Sequence, residues 1–95
     1  IYMGGQGVIS VIAQSHPLDF SNMVRLALKG KIKEANSIHY SLYKYYNPIY
    51  KEGNPVGVKA CLEVQGVCDS TVRPPLIKAS KEIILEFKNL LECID

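Results

Sequence analysis

Two hydrophobic patterns follow one another along the chain. The first is a nearly unbroken apolar run, Val8-Ile9-Ser10-Val11-Ile12-Ala13, and everything after Pro17 carries the three-and-four spacing of helices. β-Branched residues dominate the run and it does not alternate with polar ones. It therefore predicts a strand over residues 7–13 that is buried on both faces, the habit of a parallel sheet or barrel. Gly4, Gly5 and Gly7 precede it as a tight turn that closes whatever Ile1-Tyr2-Met3 belongs to.

Four helices are predicted after the strand. Phe20, Met23, Val24 and Ala27 share one face over residues 18–29, with Pro17 at the first helical position, Ser15 or His16 at the cap, and Gly30 at the end. Ile32, Ala35, Ile38, His39, Leu42, Tyr45, Tyr46 and Ile49 extend a second helix, which Pro48 is expected to kink or restart near Asn47. Gly53-Asn54-Pro55 predicts a break and a new start, with Asn54 as N-cap and Pro55 as first residue of a short helix over 56–65 that stops at Gly66. Residues 67–77 are irregular because Pro74-Pro75 excludes helix. Ser80 then caps a last helix over 81–93, apolar on Ile83, Ile84, Phe87, Leu90 and Leu91 and charged on Glu82, Glu86, Lys88 and Glu92.

A strand buried on both faces needs neighbours, and no later segment resembles a second one. Each orphaned backbone group would cost about 1–3 kcal/mol, so the chain is expected to be the tail of a larger α/β domain. Composition agrees with a globular protein, at 47% hydrophobic residues. A formal net charge of +2, with lysines and glutamates interleaved, gives no basic block and excludes a dedicated nucleic-acid surface. No apolar run approaches the ~20 residues of a membrane span, and no membrane role is expected. Three cysteines, Cys61, Cys68 and Cys93, have no paired spacing and suit a reducing, cytoplasmic setting.

Taken singly, the candidate chemical residues have ordinary explanations. The glycines precede the strand, whereas nucleotide loops follow a strand and open a helix, so no nucleotide cofactor is expected. Ser10 lacks the flanking glycine of a nucleophile elbow. His16, His39, Cys61 and Cys68 have no partner at ligand spacing, and no metal is expected. Tyr40, Tyr43, Tyr45, Tyr46 and Tyr50, with Lys44 and Lys51 among them, read as core or interface packing rather than a base-stacking surface. Lys59 reads as a snorkelling or capping lysine rather than a nucleophile.

Read together, three segments resemble the C-terminal part of the dihydrodipicolinate synthase family, pyruvate-dependent aldolases on a (β/α)8 barrel. Gly4-Gly5-Gln6-Gly7-Val8-Ile9-Ser10-Val11 is similar to the last barrel strand of that family. Glu52-Gly53-Asn54-Pro55-Val56-Gly57-Val58-Lys59 is similar to its E-x-N-P-x-x-V-K segment, and Val72-Arg73-Pro74-Pro75-Leu76 to its L-R-x-P-L segment. Order and spacing match over essentially the whole chain.

The resemblance implies an α/β barrel-family fold represented here by a mostly α portion, the last strand plus about four helices. Residues 1–30 would be the last strand and helix of the barrel, and residues 31–95 a C-terminal helical domain. It also implies a lyase that condenses pyruvate with aspartate semialdehyde for lysine and diaminopimelate synthesis, through a Schiff base on a lysine from an earlier strand with help from a tyrosine relay. Neither catalytic residue lies in this chain, which alone is expected to be inactive, and no cofactor is implied. One residue carries over: the backbone carbonyl of Ile9 would lie beside bound pyruvate, with its side chain in the barrel core. Lys59 would be structural, and the enzyme a homo-oligomer.

Departures from the family pattern are Ile12-Ala13-Gln14-Ser15-His16, where many synthases read V-x-A-N-V, together with Pro48 and Gly57. They bear on the choice of substrate. N-acetylneuraminate lyase and the keto-deoxy sugar aldolases share the fold and the lysine, and Gly7-Val8-Ile9-Ser10-Val11 favours the synthase over them. From another class, the alternative is a free-standing helical interaction module that binds through its tyrosine-rich helix.

Overall fold

The computed structural model describes residues 1–92, and its order is a 3-10 turn, Ile12–Gln14, followed by four helices: α1 Pro17–Leu28, α2 Ile32–Lys51, α3 Val56–Val64 and α4 Lys81–Glu92. The expected end of the last helix at Cys93 lies outside the described residues. Two compact units divide the chain within α2, one of residues Ile1–Tyr43 and one beginning at Lys44.

No strand forms among the described residues, which corrects the expectation for residues 7–13. The physical reason is the one that the apolar run itself raised: a strand is defined by a ladder, and among the described residues no segment pairs with this one. Residues 5–10 take no regular secondary structure, and the chain then turns into the helical region at Val11 (φ −72°, ψ −49°) to begin the 3-10 turn.

In the first unit that turn packs on α1, with Ile12 (1% exposed), Phe20 and Ala35 buried. Pro17 opens α1 as expected, and His16 holds the cap position. Neither candidate side chain caps the helix, however. The Ser15 hydroxyl donates to the Ile12 carbonyl (3.1 Å) and lies 2.8 Å from His16 Nδ1, so the pair is committed to the preceding turn. Gly30 (φ +76°) ends α1, with its own amide on the Ala27 carbonyl (3.0 Å) and that of Lys31 on the Leu26 carbonyl (2.9 Å). These are the paired bonds of a left-handed helix terminus, which glycine enters without a steric penalty.

In the second unit α3 packs on α4, and the C-terminal part of α2 joins them through Tyr45 and Ile49. Tyr45 is 2% exposed and its hydroxyl reaches the Leu90 carbonyl of α4 at 3.5 Å. α2 does not restart at Asn47 but runs through a fully buried Pro48 to Lys51, forgoing one intrahelical bond at the proline. Gly57, in the first turn of α3, lies against the Ile49 backbone so closely that a Cβ there would stand 1.9 Å from the Ile49 carbonyl oxygen.

The start of α3 departs from the expected capping. Its first residue is Val56 and Pro55 holds the cap position after a cis Asn54–Pro55 peptide. The Gly57 amide is accepted by the Gly53 carbonyl at 3.1 Å, so backbone rather than the Asn54 side chain satisfies it. Ser80 does cap α4, accepting the Ile83 amide at 3.3 Å. The reciprocal half of that cap comes from far away in sequence: the Ser80 amide donates to Glu52 Oε1 at 2.9 Å, where a capping box would use the third helical residue, here Ile83.

Hydrogen bonds from the Ser80 backbone and then its side chain hold the Glu52 carboxyl below its ordinary pKa. A lowered folded-state pKa contributes stability that is present above the unfolded value, near 4.3, and lost as pH falls through the folded value. Glu52→Gln is therefore expected to be less stable than the parent at pH 7 and equal to it once the parent's Glu52 carboxyl is fully protonated. Urea midpoints from pH 7 down to pH 3 check this, and a difference that stays constant across the range would refute it.

Candidate functional site

The segment to which the sequence points, Gly4 to Ser10, is built from a turn, an irregular stretch and an anchor. Gly4 takes φ +101° and its amide closes on the Ile1 carbonyl at 2.9 Å. Val8 faces a cavity of about 180 Å3 lined also by Met23, Val24 and Ala27, whereas Ile9 is fully exposed. The expected placement of the Ile9 side chain in a core is thus not seen here, since none of the described residues covers that side.

Two residues later the backbone is fixed. Ser10 Oγ accepts the Ala13 amide at 3.2 Å, and the Ile12 carbonyl receives the Ser15 and His16 amides at 3.1 Å and 2.9 Å. Ile12, deeply buried, is the anchor. The Ser10 hydroxyl is therefore an acceptor that starts the 3-10 turn. Among the described residues the amides of Gln6 to Ser10 make no backbone hydrogen bond, so the stretch holds out its peptide groups from a firmly held end.

The remaining candidates are placed elsewhere. Lys59 Nζ donates to the Thr71 carbonyl, and Thr71 returns its amide to Asp69 Oδ1 at 2.7 Å; its hydroxyl also donates to that oxygen. Lys59 is thus a tether between α3 and the loop before α4. Bonds from Thr71, and more weakly the Lys78 charge, hold the Asp69 carboxyl below its ordinary pKa. Of the tyrosines, Tyr45 is core while Tyr40, Tyr43 and Tyr50 are exposed. Cys61 is buried and Cys68 exposed. Among the described residues no three of His, Cys, Asp and Glu gather as metal ligands, and no helix is long and apolar enough to cross a membrane. What sequence reasoning missed is the Glu52–Ser80 bond, whose partners are separated by a loop and a helix and share no local motif.

Residues 1–94 match the dihydrodipicolinate synthetase family. The chain belongs to that family. It is 38% identical over 93 residues to the 4-hydroxy-tetrahydrodipicolinate synthase of Karelsulcia muelleri, a match that covers 94% of this chain and 31% of that protein. A crystal structure of a dihydrodipicolinate synthase superimposes with a TM-score of 0.87 at 38% identity, over 95% of this chain and 31% of that one. A second, described as the first monomeric dihydrodipicolinate synthase variant, superimposes with a TM-score of 0.87 at 29% identity, over 94% and 30%. The chain thus spans about a third of the length of the family members that it matches. The barrel-family fold class implied by the resemblance holds, represented here by four helices with no strand among the described residues.

Proposed function

We propose that this chain is the C-terminal portion of a 4-hydroxy-tetrahydrodipicolinate synthase, a lyase that condenses pyruvate with aspartate semialdehyde in lysine and diaminopimelate synthesis. The observation that carries the reading is the family match over residues 1–94, with the three motifs in order. In this reading residues 1–30 are the last strand and helix of a (β/α)8 barrel and residues 31–95 its helical domain. The lysine that forms the Schiff base with pyruvate, and the tyrosine that relays protons, belong to the rest of the enzyme. The synthase acts in the cytoplasm as a homo-oligomer. In support of the last point, a monomeric family member is singled out as the first of its kind.

This chain's own contribution is positional. Residues 6–10 supply a backbone whose amides and carbonyls are left for neighbouring strands and substrate, and Ile12 anchors it to α1. The carbonyl of Ile9, three residues before that anchor, is the group proposed to lie beside pyruvate. In a closed barrel the exposed Ile9 side chain enters the interior, where alternate residues of each strand form the packed layers. Lys59, already spent on the Thr71 carbonyl, has no part in the Schiff base.

Incubation with pyruvate and borohydride followed by intact-mass measurement tests the assignment. The 95-residue chain is expected to gain no reduced pyruvate adduct, and the longest polypeptide that its gene encodes to gain one. An adduct on one of this chain's own lysines would overturn the division of labour, and a longer polypeptide that also stays unmodified would overturn the enzyme assignment.

A further inference from the structure

Beside its buried stripe α4 carries a second face. Lys81, Ile84, Leu85 and Lys88 fall at i, i+3, i+4 and i+7 and line one side of an open cleft of about 900 Å3. Val64 from the end of α3 and Ala79 from the approach to α4 complete an apolar floor with Ile84 and Leu85. Lys78, exposed like Lys81 and Lys88, adds a third ammonium. All of these residues belong to the unit that begins at Lys44.

The charge of the cleft is unbalanced. Among the described residues that line it, three lysines meet one acid, Glu63, which leaves a formal charge of +2 (three minus one). Glu82, Glu86 and Glu92, the acids of α4, do not offset this: none of them lines the cleft, and Glu82 pairs with Lys51 at 3.7 Å. Lys78 is shared with Asp69, whose carboxyl feels its charge. Lys81 and Lys88 have no ion-pair partner among the described residues.

We propose that this cleft binds a small amphipathic carboxylate, with its head among the lysine ammoniums and its apolar chain on the floor. The proposal goes beyond the lyase reading and does not rest on it. Size favours a small molecule. Ligand sites run to about 300–1,000 Å3, apolar with a few placed polar groups, whereas a stable protein contact engages roughly 20–30 residues a side. Eight line this cleft. Chemistry selects the head group. No arginine is among the described lining residues, so the paired, planar donors that grip a phosphate are missing, while a lysine meets a carboxylate as a point charge. The lysine stems add apolar surface beside Ile84 and Leu85 and keep their ammoniums in water.

Titration of the isotope-labelled whole chain with octanoate, octanol and acetate, followed through its amide NMR shifts, tests the site. Octanoate is expected to move the amides of Ala79, Ile84 and Leu85 saturably, octanol more weakly and acetate not at all, because head and chain are both needed. In Lys81→Gln/Lys88→Gln the affinity for octanoate is expected to fall about tenfold, two surface ion pairs at the upper end of their usual range, and that for octanol to stay unchanged. Leu85→Glu, at an exposed position, is expected to keep the fold and lose octanoate. Equal octanoate affinity in the parent and the Gln/Gln variant would overturn recognition of the carboxylate. Shifts that are absent, or scattered over the chain without saturation, would overturn the site. A helical Glu/Leu peptide that saturates these amides where octanoate does not would give the cleft to a protein partner and overturn the small-molecule class.

Discussion

Gly57→Ala is expected to destabilise the unit that begins at Lys44 by about 3 kcal/mol or more, at the upper end of what overpacking a core costs. The added Cβ would lie 1.9 Å from the carbonyl oxygen of Ile49, 2.5 Å from its carbonyl carbon and 2.8 Å from its Cα. All three are backbone atoms, so no rotamer change relieves the clash. Relief requires lifting α3 away from α2, which would expose Val58, Ala60 and Cys61, each now at most 1% exposed. Gly7→Ala is the matched control, because nothing lies within 4 Å of a Cβ at that position. Urea unfolding of the two variants should separate them clearly. A Gly57→Ala midpoint equal to that of Gly7→Ala would show that the close approach of the two backbones is not a feature of the folded protein.

Phe87→Ala is expected to cost about 3–5 kcal/mol, the usual range for emptying a buried phenylalanine site. Phe87 is 0% exposed on the inner face of α4, beside an equally enclosed Ile83. Both belong to the one stripe through which that helix is held, so loss of the ring removes packing on which the whole of α4 depends. Leu85, on the same helix but 58% exposed, provides the contrast: Leu85→Ala should stay within about 0.5 kcal/mol of the parent. Equal losses at the two positions, measured by urea unfolding, would mean that α4 is not docked by this face.

Gly57 and Pro48 also change meaning once the structure is known. As departures from the family's usual residues they bear, in sequence, on the choice of substrate. In the fold Pro48 is fully buried and Gly57 lies against the residue that follows it, so the two sit at one helix crossing. The missing side chain at Gly57 lets the α3 backbone approach that of α2 at Ile49. Their explanation is packing.

The helices were legible because each is specified locally. Spacing of three and four placed Phe20, Tyr45, Ile49, Ile83 and Phe87 on buried faces, Gly30 and Gly66 ended their helices with positive φ, and Ser80 capped α4, each within one or two helical turns of sequence. The family, too, was readable from three short motifs. The capping of α3 was less legible, since competition between the Asn54 side chain and the Gly53 carbonyl for the same first-turn amides is settled by the path of the turn.

What the sequence by itself determined is the set of four helices, their inward faces apart from Ile32, which is 49% exposed, and the family to which they belong, because periodicity, caps and motifs act over a few residues. Tertiary structure alone decided the fate of residues 7–13, which have strand chemistry and no ladder, because pairing depends on a partner that composition cannot supply. It alone joined Glu52 to Ser80 and Gly57 to Ile49, because those contacts exist only once separate helices are brought together.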